Sequence, residues 1–232
     1  PTKPASDLFE VVAAAKIPET ELVYPENEAA TVADWQRLLT SDALDRHVAD
    51  ASLRPIQKRF TFLLDGPSGS GKTALVHDLA RRGNRPLLRI KLESLRSKYI
   101  GESEGLVARL FRDIRTFQRD SSRQPVILLD ECDGLLGNRE KTSNYSHNVE
   151  TNIITIVLQE LDRFEGILCC TTNHAASLDA AFFRRFAFQL TLPAPDAKTR
   201  FHILTRYFPT LSAEDCKALS HEQVFTAAQA EQ

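Results

Sequence analysis

The sequence predicts a three-layer α/β fold, in which helices cover both faces of a parallel β-sheet. Five short apolar runs alternate with segments in which apolar residues recur at helical spacing. Three of these runs are almost continuously apolar, as expected for strands that are buried on both faces of a sheet. Strands that alternate with helices form βαβ units, and such units build a three-layer fold. The predicted strands are Phe60–Asp65, Pro86–Leu92, Pro125–Asp130, Gly166–Thr172 and Phe186–Leu192.

The chain of 232 residues divides into three predicted regions. Residues 1–30 contain several prolines and are expected to form a lead-in linker that holds no more than one short helix. Residues 31–195 form the large α/β subdomain, and the apolar spacing from Thr31 to Ala51 predicts one or two amphipathic helices at its start. Residues 196–232 are predicted to be a partial helical lid that Pro209 interrupts. Two further helical stripes lie within the large subdomain: Leu106, Leu110, Ile114 and Phe117, and Ile153, Val157, Leu161 and Phe164.

The balance of charge gives no sign of a nucleic-acid partner. The 29 lysines and arginines nearly match the 31 acidic residues, whereas nucleic-acid-binding domains are usually strongly basic. Four cysteines without metal-binding spacing indicate a reduced chain, so we expect a cytoplasmic protein. The sequence shows no signal peptide and no apolar run of membrane-spanning length. It begins with proline and contains no methionine, so we expect it to be part of a longer protein.

A glycine-rich segment, Gly66–Thr73, has the sequence GPSGSGKT and matches the phosphate-binding pattern G-x-x-x-x-G-K-[ST]. It directly follows a predicted strand, and a helical pattern begins at Ala74, which is the context that this pattern requires. Glycines let backbone N–H groups converge on phosphate oxygens, and the helix N-terminus adds the positive end of its dipole. Lys72 is expected to contact the β- and γ-phosphates, and Thr73 to bind Mg²⁺. The predicted nucleotide-binding residues are Gly66, Pro67, Ser68, Gly69, Ser70, Gly71, Lys72, Thr73, Ala74 and Asp130.

The third and fourth predicted strands deliver further polar residues to the same edge of the sheet. Asp130 ends the third strand, where ligands of open α/β sheets bind, and is expected to hold Mg²⁺ together with Thr73. Glu131 follows and is placed to polarise the water that attacks the γ-phosphate. Many phosphate-loop proteins lack a carboxylate there, so its presence favours an ATPase over a kinase or a GTPase. Asn173, at the tip of the fourth strand, is expected to orient the same water or to contact the γ-phosphate.

Four motifs occur in an order that closely resembles the AAA ATPases, a clade of the AAA+ superfamily: GPSGSGKT, LLDECDGLLGNR, TTN and LDAAFFRRFAFQLTLPAPD. The resemblance extends from Thr31 to Phe208. It implies a P-loop NTPase with a parallel five-stranded sheet of order 5-1-4-3-2 and a small helical lid. It also implies ATP and Mg²⁺ as ligands, ATP hydrolysis, and a homo-oligomeric ring, usually a hexamer, with ATP between subunits. Only residues 196–232 follow Pro195, so the lid is expected to be reduced or truncated, and no sensor arginine is assigned in it.

In such rings the neighbouring subunit supplies an arginine to the γ-phosphate, and the resemblance implies this role for Arg184 or Arg185. A finger arginine stabilises charge that develops in the transition state. The two arginines are adjacent here, whereas family members commonly separate them by a few residues. This departure leaves open which of the two is the finger.

In the family, the loop after the second strand lines the central pore and grips an extended polypeptide. Lys98, Tyr99, Ile100 and Gly101 match its cation, aromatic, hydrophobic and glycine positions in turn. The resemblance therefore implies a protein substrate that is unfolded, threaded or remodelled through the pore. The alternative is that Tyr99 and Ile100 pack onto the core of their own domain. The polar segment Asn138–Asn148 lies where a second pore loop is expected.

Three other functions remain open at this point. A nucleic-acid motor or clamp loader of the AAA+ superfamily would share the nucleotide site, but it would not need the aromatic-hydrophobic-glycine segment and would favour a more basic chain. A kinase or another phosphate-loop enzyme is disfavoured by Glu131 and by the arginine pair. A regulatory module that binds ATP without hydrolysing it is disfavoured because every residue of the predicted nucleotide site is present.

Overall fold

Six strands form a single sheet in the computed structural model, which describes residues 6–20, 22–95, 102–133, 154–178 and 180–222. The strands are β1 (Phe9–Val12), β2 (Arg59–Asp65), β3 (Leu87–Ile90), β4 (Val126–Leu129), β5 (Gly166–Thr172) and β6 (Phe188–Thr191). The α-helices of the described ranges are α1 (Glu26–Thr40), α2 (Asp42–Ala49), α3 (Lys72–Arg82), α4 (Leu92–Leu95), α5 (Glu102–Asp120), α6 (residues 154–162), α7 (Ala180–Phe183), α8 (Ala197–Tyr207) and α9 (Ala213–Glu222). The two segments expected to form pore loops, Lys98–Gly101 and Asn138–Asn148, lie outside the described residues.

Strands β2 to β6 form the parallel sheet that the sequence predicts. The sheet order is β1-β3-β4-β5-β2-β6, and every neighbouring pair from β3 to β6 is parallel. With β2 counted as the first strand, these five follow the expected order 5-1-4-3-2. Phe186 and Leu192, predicted to begin and end the last strand, instead flank β6, and both are buried there.

The prediction of five strands was incomplete, because a sixth lies in the segment expected to be a linker. β1 pairs antiparallel with β3, with Phe9 opposite Ile90. Leu8 and Phe9 are 2% and 3% exposed, so burial of apolar surface holds this segment on the sheet. Its sequence, Phe-Glu-Val-Val, does not alternate strictly between apolar and polar residues, so it carries no clear strand pattern.

Polar contacts also attach this N-terminal segment to α5. Ser6 Oγ donates to Asp113 Oδ2 at 2.7 Å, and Arg109 Nη2 donates to Asp7 Oδ1 at 2.6 Å. The N–H of Lys91 donates to the carbonyl of the residue before β1 at 2.9 Å. The segment is therefore held both by the edge of the sheet and by a helix that covers it.

Helices cover both faces of the sheet, which confirms the three-layer prediction. One face packs against α5 and α6, and the other against α1, α2 and α3. Successive residues of β2 alternate between the two cores, since Leu63 faces α5 and α6 whereas Phe62 and Leu64 face α1 to α3. The predicted stripe residues that are buried include Leu110 and Ile114 in α5 and Val157 and Leu161 in α6.

The helical region predicted from Thr31 to Ala51 consists of two helices. The first, α1, begins at Glu26, so the region boundary expected at residue 30 falls inside a helix. Ser41 separates the helices, because its backbone is extended (φ −74°, ψ 131°). Its hydroxyl accepts from the Ala43 N–H at 3.2 Å and so caps α2.

A buried arginine joins these two helices to the sheet. Arg85, just before β3, is 0% exposed and donates through Nη1 and Nη2 to the carboxylate of Asp45 at 2.6 and 3.1 Å. Its Nε donates to Leu39 O at 2.7 Å. Burial opposes ionisation of Asp45, but hydrogen bonds from Arg85 and from the Gln124 N–H outweigh it, so the pKa of Asp45 lies below its usual value.

Replacing Asp45 with alanine is expected to lower the free energy of unfolding by about 3 kcal/mol, because Arg85 would stay buried without its counter-ion. The pKa of Asp45 is depressed in the folded state, so its stabilising effect is complete above the unfolded-state pKa and is lost as pH falls through the lower folded-state value. The loss caused by Asp45→Ala should therefore be full at neutral pH and shrink below about pH 4. Urea denaturation at a series of pH values measures it.

Asp42→Ala is the matched control for this prediction. Asp42 lies in the same helix and pairs with Arg123 at 2.8 Å, but its side chain is 80% exposed. The loss of stability should then stay below about 1 kcal/mol. Equal losses in the two variants would contradict the importance of the buried Arg85–Asp45 pair.

Two helices, α8 and α9, follow β6 in the region that the sequence predicts to be a partial lid. Asp196 Oδ1 accepts from the Thr199 N–H at 2.7 Å and caps α8. Arg200 is 8% exposed and donates to Ser220 O at 2.8 Å and to Pro195 O at 2.6 Å, so a buried cation holds the two helices together. In the part of the chain that the structure describes, no helix is both long and apolar enough to span a membrane.

Candidate active site

The glycine-rich segment forms a loop between β2 and α3 at the carboxyl edge of the sheet. Gly71 precedes α3 with φ +91°, a left-handed conformation that favours glycine. At Gly66, with φ +143°, an added Cβ would lie 2.0 Å from Leu192 O, so no larger residue fits beside the end of β6. The first turn of α3 leaves N–H groups without intrahelical partners, which suits an anionic ligand. The loop geometry is therefore compatible with phosphate binding.

Lys72, the first residue of α3, is only 7% exposed, and its ammonium group lies inside the loop. Nζ donates to Gly66 O, to Pro67 O and to Asn173 Oδ1, each at 2.8 Å. Burial lowers the pKa of Lys72, and the nearby carboxylates, Asp130 first among them, counteract this only in part. The contact with Asn173 brings together two predicted site residues that are far apart in the sequence.

Thr73 and Asp130, the two predicted Mg²⁺ ligands, are in direct contact. Thr73 Oγ1 donates to Asp130 Oδ1 at 2.8 Å. Hydroxyl and carboxylate oxygens are hard ligands of the kind that Mg²⁺ prefers, and the ion usually keeps several waters as well. The charges of Asp65, Glu131 and Asp133 also act on Lys72, so the site is rich in carboxylates. These residues fit a Mg²⁺ ion that binds together with nucleotide phosphates.

Glu131 follows β4 in an unusual backbone conformation. Its φ is +51°, and Asn84 is the other non-glycine residue with a positive φ in the described ranges. Such a conformation costs about 1–3 kcal/mol and persists only where the surrounding structure holds it. The Glu131 side chain is exposed and lines the same cavity as the phosphate loop, so it can meet a bound nucleotide.

Asp133 fixes the end of β5 beside Asn173. Its Oδ1 accepts from Thr172 Oγ1 at 2.9 Å and from the Asn173 N–H at 3.3 Å. These bonds tie the turn after β4 to the tip of β5, where Asn173 lines the cavity. Asp133 was not predicted as a site residue, although its place three residues after Asp130 in the motif DECD was a usable signal.

A cavity of about 260 Å³ extends from the phosphate loop to the lid. Beyond the phosphate end, its lining includes the segment Leu22–Pro25 and Ile203 and Tyr207 of α8. Apolar and aromatic walls of this kind suit the base of a nucleotide. Arg206 also lines the cavity, although no lid arginine was assigned from the sequence.

The residues of this apolar end were not predicted from the sequence. An apolar run precedes Pro25 (Leu22, Val23 and Tyr24), and helical spacing relates Ile203 to Tyr207. Patterns of this kind occur in any apolar core, so they do not by themselves indicate a binding site. Burial raises the pKa of the Tyr24 hydroxyl, and the charge of Asp78 adds to this effect, so Tyr24 stays neutral.

The arginine pair lies toward the opposite end of the strands from this cavity. Arg185 O accepts from Thr61 Oγ1 at 2.6 Å, and Thr61 is separated from Asp65, at the end of β2, by roughly 13 Å of extended strand. The Arg185 guanidinium donates to both oxygens of Asp162 at 2.9 and 2.7 Å and lowers the pKa of that carboxyl. Arg184 is exposed and has no hydrogen-bond or ion-pair partner among the described residues. Neither arginine lines the cavity of its own chain.

Comparisons with known proteins agree with one another. The family model for the "ATPase family associated with various cellular activities (AAA)" matches residues 62–194. The chain is 32% identical over 158 residues to the ATPase family gene 2 protein of Saccharomyces cerevisiae, with 66% of this chain and 19% of that protein covered. It is also 32% identical over 198 residues to spastin of Drosophila melanogaster, with 77% of this chain and 25% of that protein covered. The chain thus spans a fifth to a quarter of the length of these curated relatives.

Among solved structures, the crystal structure of the FIGL-1 AAA domain is similar to this chain. The TM-score is 0.69 at 23% identity, and the match covers 99% of this chain and 74% of that one. This likeness supports the fold. The region matched by the family model includes the phosphate loop, Asp130, Glu131, Asn173 and the arginine pair.

Proposed function

The chain belongs to the AAA family of ATPases, and on that basis we propose that it is the ATP-hydrolysing domain of a ring-forming protein that remodels other proteins. The observation that carries the proposal is the contact between Thr73 and Asp130 beside the buried Lys72. It joins the phosphate-binding helix to the strand that delivers the metal-binding carboxylate. Glu131 lines the same cavity and supplies a base.

Each residue of the site has a role in this proposal. Lys72 binds the β- and γ-phosphates, whose oxygens replace the carbonyl groups that accept from it in the loop. Mg²⁺, held through Thr73 and Asp130, neutralises phosphate charge when it is bound. Glu131 takes the proton of the water whose oxygen attacks the γ-phosphorus, while the bond from that phosphorus to the leaving ADP breaks. Asn173 orients this water or contacts the γ-phosphate.

A neighbouring subunit supplies the finger arginine in this proposal. Neither arginine lines the cavity of its own chain, so a finger role for either one requires the site of another subunit. Arg185 is held by Asp162, whereas the guanidinium of Arg184 is exposed. We therefore assign the finger to Arg184 and a structural role to Arg185. A ring, hexameric as is usual in the family, would place Arg184 of one subunit at the γ-phosphate of the next.

The protein substrate would be gripped by Lys98–Gly101. Tyr99→Ala is expected to leave ATP turnover close to that of the wild type but to abolish ATP-driven unfolding of a protein substrate, because the flat side chain that contacts the polypeptide is lost. The measurement is the loss of fluorescence of a fluorescent protein that carries an unstructured tail, followed together with ATP hydrolysis.

Tyr99→Phe is the matched control, since it keeps the ring, and it should retain unfolding activity. Unfolding by Tyr99→Ala at the wild-type rate would contradict the pore-loop proposal. ATP turnover that is stimulated by DNA or RNA, and not by unfolded polypeptide, would instead favour the nucleic-acid motor.

A further inference from the structure

Thr171, which was not predicted as a site residue, contacts both acidic residues that follow β4, Asp130 and Glu131. Thr171 is the last residue but one of β5, is 1% exposed and lines the cavity. β4 and β5 pair with Leu129 opposite Cys170, so Thr171 lies across from the point where β4 continues into Asp130. Of the motif TTN, only Asn173 was predicted to be a site residue.

The Thr171 hydroxyl links the Asp130 carboxylate to the backbone of Glu131. It donates to Asp130 Oδ1 at 2.5 Å and accepts from the Glu131 N–H at 2.9 Å. Hydrogen bonds in such a chain polarise one another. Thr73 also donates to Asp130 Oδ1, at 2.8 Å. When the Thr73 hydroxyl turns to a metal ion, the bond from Thr171 remains to fix the direction of the carboxylate.

The same residue holds the strained turn that carries Glu131. The Cys132 N–H donates to Thr171 O at 2.8 Å, so the hydroxyl and the carbonyl of Thr171 accept from two successive backbone N–H groups. Glu131 has φ +51°, which requires support from its surroundings. Without the hydroxyl, the Glu131 N–H loses its partner and the turn can relax, which would move the Glu131 carboxylate relative to the phosphate loop.

We propose that Thr171 is a positioning residue for ATP hydrolysis, whose hydroxyl fixes the direction of the Asp130 carboxylate and holds the backbone turn that carries Glu131. The inference rests on the proposed ATPase function of the same site. Thr171 exchanges no proton with the substrate, and it acts only through the two acidic residues. Valine has nearly the same shape but can neither donate nor accept, so Thr171→Val removes this action with little change of volume.

The test compares Thr171→Val and Thr171→Ser with the wild type in steady-state ATP hydrolysis. Thr171→Val should lower kcat by about 10–100-fold, the usual effect of losing a partner that orients a metal-site ligand. The KM for ATP should stay close to the wild-type value, because the phosphate loop is untouched. Thr171→Ser keeps the hydroxyl and should restore most of the activity. In a Glu131→Gln background, Thr171→Val should cause a smaller loss than in the wild type, because the part of its effect that acts through Glu131 is already absent, whereas the part that acts through Asp130 remains.

Three outcomes would overturn the proposal. They are wild-type kcat in Thr171→Val, equal losses in the valine and serine variants, and a fully additive loss in the double variant. If Thr171→Val does not fold, as judged by thermal denaturation, Thr171→Ala takes its place with the same expected results. A wild-type protein without ATPase activity would show that the proposed function itself had failed, which is distinguishable from all three outcomes.

Discussion

Replacing Arg184 with alanine should lower ATP turnover per subunit by about 10³–10⁵-fold, the effect of removing a finger arginine in related phosphoryl-transfer chemistry. The physical reason is that the guanidinium neutralises charge that develops on the transferred phosphoryl group in a site closed to water. In the proposed ring each site is completed by the next subunit, so the wild-type rate per subunit should rise with protein concentration, whereas Arg184→Ala should stay slow throughout. Steady-state ATP hydrolysis over a wide concentration range measures both.

Arg185→Ala is the adjacent control, because it removes the hydrogen bonds to Asp162 and to Ala181 O within the same subunit. Its main effect should be a lower melting temperature, with a smaller loss of turnover. A second control mixes Arg184→Ala with Lys72→Ala, since each variant keeps the half of the shared site that the other lacks. Turnover should partly recover in the mixture. No recovery, together with a rate independent of concentration, would show that Arg184 does not act in a neighbouring site.

Replacing Glu131 with glutamine should lower ATP turnover by about 10²–10⁴-fold, the usual contribution of a general base. Glutamine has the same size and can still contact water, but it cannot take a proton at neutral pH. ATP binding should stay near the wild-type level, because Lys72, Thr73 and the loop glycines are unchanged. Equilibrium binding of ATP and single-turnover hydrolysis measure the two effects separately.

Lys72→Ala is the contrasting variant, since it should lose ATP binding as well as turnover. Equal hydrolysis rates for the wild type and Glu131→Gln would contradict the role of Glu131 as general base. Weak ATP binding by Glu131→Gln would indicate instead that the strained turn at φ +51° had rearranged, and thermal denaturation would detect the loss of stability that accompanies it.

The central strands and the phosphate loop were predictable because the relevant information is local. A strand that is buried on both faces must be apolar at nearly every position, as in Phe60–Asp65 and Gly166–Thr172. The contact between Thr73 and Asp130 joins residues 57 positions apart. It still follows from sequence, because the carboxyl ends of parallel strands meet at one edge of the sheet.

The remaining features depend on packing between distant segments. Leu22–Tyr24 and Ile203 line one cavity although they are far apart in the sequence, and each has an ordinary apolar pattern by itself. Arg184 and Arg185 are neighbours with the same chemistry, and they are distinguished by the contacts of Arg185 with Asp162 and with Ala181 O. Thr171 looked like one more polar residue at the end of a strand, because its partners come from the next strand of the sheet.

The short first strand, β1, limits how far the chain can be truncated at its N-terminal end. A fragment that began at residue 31, the start expected for the large subdomain, would lack Leu8 and Phe9 and would uncover the backbone edge of β3. An unpaired apolar edge is a template for strands of other molecules, so such a fragment should tend to aggregate. Expression of a soluble domain therefore depends on retaining the residues from Ser6 to Val12, although none of them lines the nucleotide cavity.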